Sequence, residues 1–206
     1  MLTVHHLKIG RPLFTLWLIE ELGIEYDLKI YERNEMGRAP AELKEVHPLG
    51  KSPVIQDDDL TLSESGAIAH YLVENYDTEG RFAPPPLSEK AARATWYQWF
   101  HYTEASAFAP LLITLLLTRE QEPKPPLFTM FAAAEVKLQM DYIADQLGDK
   151  DYLLGDSLTL PDFGTAYIVQ MADRLGQIEG YPTLKAYLAR VAALPAFQRA
   201  LAKAGA

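Results

Sequence analysis

The chain has 206 residues, 49% of them hydrophobic, which is enough for one large or two small packed cores and argues against disorder. Its formal charge of −9, from 28 acidic and 19 basic side chains with no Lys/Arg run, opposes binding to a polyanion, so no nucleic-acid partner is expected. Cysteine is absent, which excludes disulfides, thiolate metal ligands and Cys-based nucleophilic or redox chemistry; a reacting thiol would have to arrive with a ligand.

Met1-Leu2-Thr3-Val4-His5-His6 lacks the basic, long apolar and small-residue stretches of an export signal, so a cytoplasmic protein is expected. Residues 3–7 read as a strand. An apolar helix follows over 12–22, with Pro12 suited to its first turn and Gly23 to its cap. His5 and His6, adjacent on a strand, point to opposite sides and have no third ligand spaced to help, so no metal is expected. A second strand alternates through Tyr26, Leu28 and Ile30, and 39–46 reads as a short charged helix. Residues 53–56 and 60–62 flank Asp57-Asp58-Asp59 as a hairpin, and 63–76 reads as a helix with Ile68, Tyr71, Leu72 and Tyr76 on its apolar face. The order is β-α-β-α-β-β-α.

Residues 77–87 lose periodicity and hold three consecutive prolines, which favours a stiff extended connector. The division expected is a domain over 1–78, a linker over 79–87 and an all-helical domain over 88–206. Within the latter, 88–117 and 127–147 are helical patterns separated by a polar, Pro-rich break. The most apolar stretch, 107–117, is interrupted by Pro110 and is shorter than the roughly 20 residues that span a bilayer, so no membrane partner is expected. Thr159 and Asp162 have the spacing of a capping box before the next helix, with Pro161 in its first turn. Two shorter helices, about 182–193 and 196–203, complete the pattern.

Two segments point to a function: His47-Pro48-Leu49-Gly50-Lys51-Ser52-Pro53-Val54-Ile55 and, about ten residues after Ser52, Leu62-Ser63-Glu64-Ser65-Gly66-Ala67-Ile68. Together they resemble the glutathione transferase family, and further likenesses extend over nearly the whole chain: Leu16 to Gly23 to the first helix of bacterial and fungal members, Trp96 to Glu104 to the fourth, and Thr159 to Asp162 to the sixth-helix cap. The resemblance implies a thioredoxin-like amino-terminal domain, a carboxy-terminal helical bundle, glutathione as co-substrate and a homodimer. It implies that Pro53 is cis, so that the Ser52 main chain pairs with the cysteinyl part of glutathione. By the same resemblance Glu64 and Ser65 take the γ-glutamyl end, Lys51 approaches the glycyl carboxylate, and Glu104 reaches the partner subunit's glutathione. The physics of a helix N-terminus agrees, since its unpaired N–H groups and partial positive charge suit an α-carboxylate while Glu64 can answer the ammonium. Read without the family, Ser63 or Ser65 is an ordinary N-cap and Lys51 a solvated lysine. Tyr102 and Phe108 are candidate walls of the hydrophobic-substrate pocket, or plain core aromatics.

One position departs from the pattern. The resemblance is to members that carry a Ser-Arg-Ser string after the first strand, whose serine donates to the glutathione thiolate. Here the string is Gly10-Arg11-Pro12, leaving Arg11, the helix N-terminus and the Gly10 backbone N–H as the groups able to favour a thiolate. The expected activity is delivery of the glutathione thiolate to small hydrophobic electrophiles or peroxides; the alternative is a glutathione-binding or ligand-carrying protein of the same fold with little turnover.

Overall fold

In the computed structural model, which describes residues 1–205, the amino-terminal half follows the expected order: β1 (Leu2–Leu7), α1 (Pro12–Leu22), β2 (Tyr26–Tyr31), α2 (Leu43–Val46), β3 (Val54–Asp57), β4 (Leu60–Ser63) and α3 (Ser65–Tyr76). The sheet order is β2-β1-β3-β4. β1 and β2 are parallel, joined by the α1 crossover, whereas β3 pairs antiparallel with β1 and β4. This is the thioredoxin-like arrangement the resemblance implies. The 39–46 helix shrinks to 43–46, because residues 40–45 turn by i→i+3 bonds (Leu43 N–H to Pro40 O, Lys44 to Ala41, Glu45 to Glu42) before one α-type bond from His47 closes the segment.

Helix α1 is apolar on every side, and every residue from Pro12 to Glu20 is buried. Such a helix needs cover all round. β1 and α3 supply part of it, and α9 (Pro195–Ala204) the rest, with Phe197 set edge-on to Trp17 at 5.3 Å and tilted on Phe14 at 6.2 Å. Glu20 of α1, 7% exposed, accepts from Lys203 Nζ at 2.6 Å, Arg199 Nε at 2.9 Å and the Tyr26 hydroxyl at 2.7 Å. Its own burial raises the carboxyl, and the bonds from Lys203, Tyr26 and Arg199 outweigh that, so the group stays below the ordinary glutamate value. The compact unit is therefore residues 1–83 together with 192–206, and the second unit is 84–191. Residues 192–205, expected within the helical domain, pack with the sheet domain instead.

The second unit contains α4 (Lys90–Tyr102), a π-helical turn (Thr103–Ala107), α5 (Phe108–Leu117), α6 (Pro126–Leu147), α7 (Leu160–Arg174) and α8 (Pro182–Ala192). α4 packs on α7 and α5 on α6, with Trp96, Trp99, Val136, Met140, Ile143 and Val169 buried among them. Pro110 does not end the helical run. The wide π turn just before it, closed by Phe108 N–H to Thr103 O, has already displaced the α ladder where a proline would otherwise clash. The continuous run over 90–117 is thus 28 residues, long and apolar enough by length and composition to cross a membrane, a property shared by core helices. The run matches the helical pattern expected over 88–117, and Pro110 within it does not interrupt it. Gly164 lets α7 approach the π turn, since a Cβ there would lie 2.5 Å from Thr103 Oγ1. The start of α7 forms the expected capping box: Asp162 Oδ2 accepts from Thr159 N–H (2.9 Å) and Oγ1 (2.7 Å), and Oδ1 accepts from Leu153 N–H (2.9 Å) and the Tyr187 hydroxyl (3.1 Å).

Candidate functional site

The strand registers bring three of the predicted segments to one end of the sheet. β1 ends at Leu7 and runs on into Lys8–Arg11; its pairing of His5 with Val54 sets Ser52 beside Leu7. Val54 pairs with Ser63, which sets Pro53 across from Glu64. The Gly10–Arg11 loop, the Lys51–Pro53 loop and the Glu64–Ser65 start of α3 therefore share the edge formed by the C-terminal ends of β1 and β4 and the N-terminal end of β3.

Ser52-Pro53 is a cis peptide bond, as the resemblance implies. Just beyond the β1–β3 ladder the Ser52 hydroxyl bonds to β1: it donates to His5 O at 2.6 Å and accepts from Leu7 N–H at 3.1 Å. The side chain is thereby occupied within the sheet. Among the described residues the Ser52 main-chain N–H and C=O take no partner in the chain, which leaves them available to a ligand's backbone. Lys51 is exposed.

Glu64 stands at the N-cap of α3 with φ 73° and ψ 117°, a region non-glycine residues rarely occupy. It accepts the first helical bond, from Ile68 N–H at 2.9 Å, and its side chain makes no cap bond, so the first-turn N–H groups of α3 stay open. The preceding Ser63 hydroxyl is tied to His47 Nε2 at 3.3 Å, joining the His47–Gly50 turn to the α3 start. This contact was given no role from the sequence, where His47 stood only as the first residue of a motif.

Arg11 occupies the N-cap of α1, and Leu13 N–H returns to Gly10 O at 3.2 Å. Gly10 has φ +152° and the preceding Ile9, 66% exposed, has φ 58°. Sequence reasoning also missed two residues at this loop. His6 is buried with its ring bonded to the Pro12 backbone, which has only a carbonyl to offer, so the ring donates; its Nδ1 has no partner. Burial pushes His6 down to about 4, and the ring is neutral at physiological pH. Arg33, from the turn after β2, donates from Nε to Lys8 O at 2.9 Å, from Nη2 to Ile9 O and from Nη1 to Gly37 O at 2.9 Å. His5 takes other partners, Tyr31 Oη at 2.8 Å and Gln56 Oε1 at 2.9 Å, and among the described residues no group of three His, Cys, Asp or Glu side chains could hold a metal.

The remaining predicted residues belong to the second unit. Tyr102 is half-buried; its hydroxyl donates to Gln139 Oε1 and its ring packs edge-on to Trp99 at 4.9 Å and Tyr142 at 5.3 Å. Phe108 is half-buried, 6.0 Å from the ring of Tyr167. Glu104 is exposed on the π turn. π turns inside α-helices frequently accompany functional positions.

Comparison with known proteins follows the same division. The model for the glutathione S-transferase N-terminal domain matches residues 3–74, and that for the C-terminal domain matches residues 109–195. Glutathione S-transferase 3 of Schizosaccharomyces pombe is 31% identical over 98% of this chain and 88% of its own. A solved glutathione S-transferase from Actinobacillus pleuropneumoniae is 35% identical with a TM-score of 0.90, covering 100% of this chain and 93% of that one. A glutathione transferase from Phanerochaete chrysosporium, solved in complex with oxidized glutathione, shares the fold at 21% identity with a TM-score of 0.84, over 99% of this chain and 96% of that one. Sequence likeness along both halves, on a sheet that carries the cis Ser52-Pro53 bond and the α3 terminus at one edge, establishes that the chain belongs to the glutathione S-transferase family.

Proposed function

We propose that the protein binds glutathione along this edge of the sheet and delivers its thiolate to small hydrophobic electrophiles or peroxides. The observation that carries the reading is the convergence of the open Ser52 main chain, the open N-terminus of α3 and the β1–α1 loop on one sheet end. The γ-glutamyl carboxylate meets the α3 N–H groups and the Ser65 hydroxyl, and Glu64 answers the ammonium. The cysteinyl backbone pairs with Ser52 in the manner of an added strand. Lys51 takes the glycyl carboxylate, and the sulfur then lies toward Gly10 and Arg11.

Within the family we place the chain beside the Ser-Arg-Ser members, with Gly10 in place of the serine. It works as a cytoplasmic homodimer, Glu104 turned to the partner's glutathione and Tyr102 and Phe108 bordering the electrophile. Support for glutathione as the co-substrate comes from relatives such as the Phanerochaete protein solved with oxidized glutathione. The test is isothermal calorimetry with glutathione followed by turnover of a chloronitrobenzene and of an organic hydroperoxide. Micromolar-to-millimolar binding with measurable turnover is expected; no binding overturns the reading. A second reading, a carrier with little catalysis, is favoured by one observation, the missing hydroxyl at Gly10, and predicts binding without turnover.

A further inference from the structure

The β1–α1 loop is built in an unusual way. Two successive residues, Ile9 and Gly10, have positive φ, and a β-branched residue such as Ile9 is a genuine outlier there. A conformation of this kind persists only where its surroundings hold it. The holding group is Arg33, whose guanidinium binds the carbonyls of Lys8 and Ile9 while anchoring to Gly37 O of its own turn. That turn is itself fixed: Asn34 Oδ1 accepts from Met36 N–H at 3.1 Å and Arg38 N–H at 3.0 Å. Next to Arg33, Glu32 bridges the Lys8 ammonium at 2.6 Å, so two consecutive residues after β2 grip the loop.

The grip also brings a cation to a particular place. A side chain on Gly10 would start 3.2 Å from Arg33 Nη2. The first atom of a side chain at residue 10 would therefore meet this guanidinium. We infer that Arg33 stands in for the absent hydroxyl, fixing the β1–α1 loop and supplying the positive charge that stabilises the thiolate of bound glutathione. The assignment rests on the glutathione reading of the preceding section. The chemistry is a preference for the ionised sulfur: an opposite charge within about 4–6 Å favours a thiolate over a thiol, and the proton leaves to solvent. Other charged or titratable groups at the loop include Lys8, paired with Glu32, Arg11 at the α1 N-cap, and His6, neutral near pH 7. Arg33 is exposed, so water screens its charge and the effect belongs at the low end of the usual range.

The experiment compares the wild-type protein with Arg33→Gln and Arg33→Lys. The thiolate of bound glutathione is titrated by its ultraviolet absorbance, and affinity for S-methylglutathione, which has no ionisable thiol, is measured by calorimetry. The expected result is that Arg33→Gln moves the bound-thiol titration upward by about one pH unit, a tenfold loss of thiolate at fixed pH, while S-methylglutathione affinity changes less than about threefold. Arg33→Lys, which keeps the charge without the planar fork, should retain part of the effect. An unshifted titration in Arg33→Gln overturns the inference, as does an equal shift in Arg33→Lys. If the wild-type protein binds S-methylglutathione but glutathione titrates at its free-solution value, Arg33 is overturned and the binding site stands. Failure of the wild type to bind S-methylglutathione overturns both. Unchanged circular dichroism in the variants makes each outcome attributable to the site.

Discussion

Gly10 combines a backbone conformation that L side chains rarely adopt with a neighbouring guanidinium at 3.2 Å from the position of a first side-chain carbon. Gly10→Ser therefore should not simply add a hydroxyl to the site. Forcing φ +152° on a serine costs on the order of 1–3 kcal/mol, and the loop or Arg33 must move to admit the new atoms. Reduced turnover and a lowered melting temperature are the expected outcome; a gain in turnover at unchanged stability would show that the loop has a serine-compatible shape after all. Glu64 is the opposite case, a charged residue kept where a glycine would fit better. Glu64→Gly should relieve backbone strain and hold or raise stability by about 1 kcal/mol, the relief being partly offset by glycine's chain entropy. The same change should weaken glutathione binding by about 1.5–3 kcal/mol through loss of a charge-assisted contact. Parallel thermal melts and calorimetry separate the two effects. If binding is untouched, the strained carboxylate has no part in the ligand site. Much of this site was readable from residue identity alone, because the Lys51-Ser52-Pro53 and Glu64-Ser65 strings are local. Arg33 was not, since nothing beside it in the chain refers to Gly10. Its approach comes from the parallel pairing of Leu7 with Tyr31, which carries residue 33 alongside residue 9.

Among the elements, the α1–α9 contact titrates. The Glu20 carboxyl lies below its ordinary value in the folded protein, so the stabilisation it gives is fully present above the unfolded value near 4.5 and is lost as pH falls through the lower folded value. Acidification should loosen α9 in that range, and Glu20→Gln should remove the pH-dependence. Arg199 and Lys203 are about half exposed and can return to water, so we expect a cost of about 1–3 kcal/mol, below that of breaking a fully buried pair. Hydrogen exchange of α9 amides between pH 3 and 6 checks this; identical acid sensitivity in wild type and Glu20→Gln would contradict it. A second contact depends on size alone. Gly164→Ala should cost about 1–3 kcal/mol because its Cβ meets the Thr103 hydroxyl, and Thr103→Ala added to it should regain part of the loss, a coupling that chemical denaturation of the double mutant measures. The helices themselves were legible, since α1, α6 and α7 announce themselves by apolar spacing, Pro at the start and caps at the ends. The π turn was not, because an extra residue in one turn leaves the side-chain pattern on either side intact. The 39–46 reading overreached for the converse reason: charged residues with helical propensity do not propagate a helix when the segment turns through i→i+3 bonds from Pro40.

At the scale of the whole molecule, the chain forms two compact units that part near residue 84, and it then crosses back into the first. An amphipathic helix such as α9 advertises an apolar face without saying what covers it, so the sequence gives it no reason to leave the helical pattern it follows. Only the all-round apolar character of α1 demands a second cover, and Phe197 with Ala196, Ala200 and Ala204 provides it. Removal of residues 192–206 should therefore weaken glutathione binding and melt the sheet domain first, leaving the 84–191 helices more resistant; differential scanning calorimetry would register a split transition, and a single unsplit one at the wild-type temperature would contradict it. The same return of the chain has a consequence for biosynthesis. Domains ordinarily fold in the order in which they are made. Here the first domain to leave the ribosome must wait, with the outer face of α1 and its Phe14 and Trp17 uncovered, until the whole of the second has been translated and the closing helix arrives. During that interval the nascent chain shows an aromatic surface that belongs in the interior, and a folding helper that recognises exposed aromatic helices would find its target there.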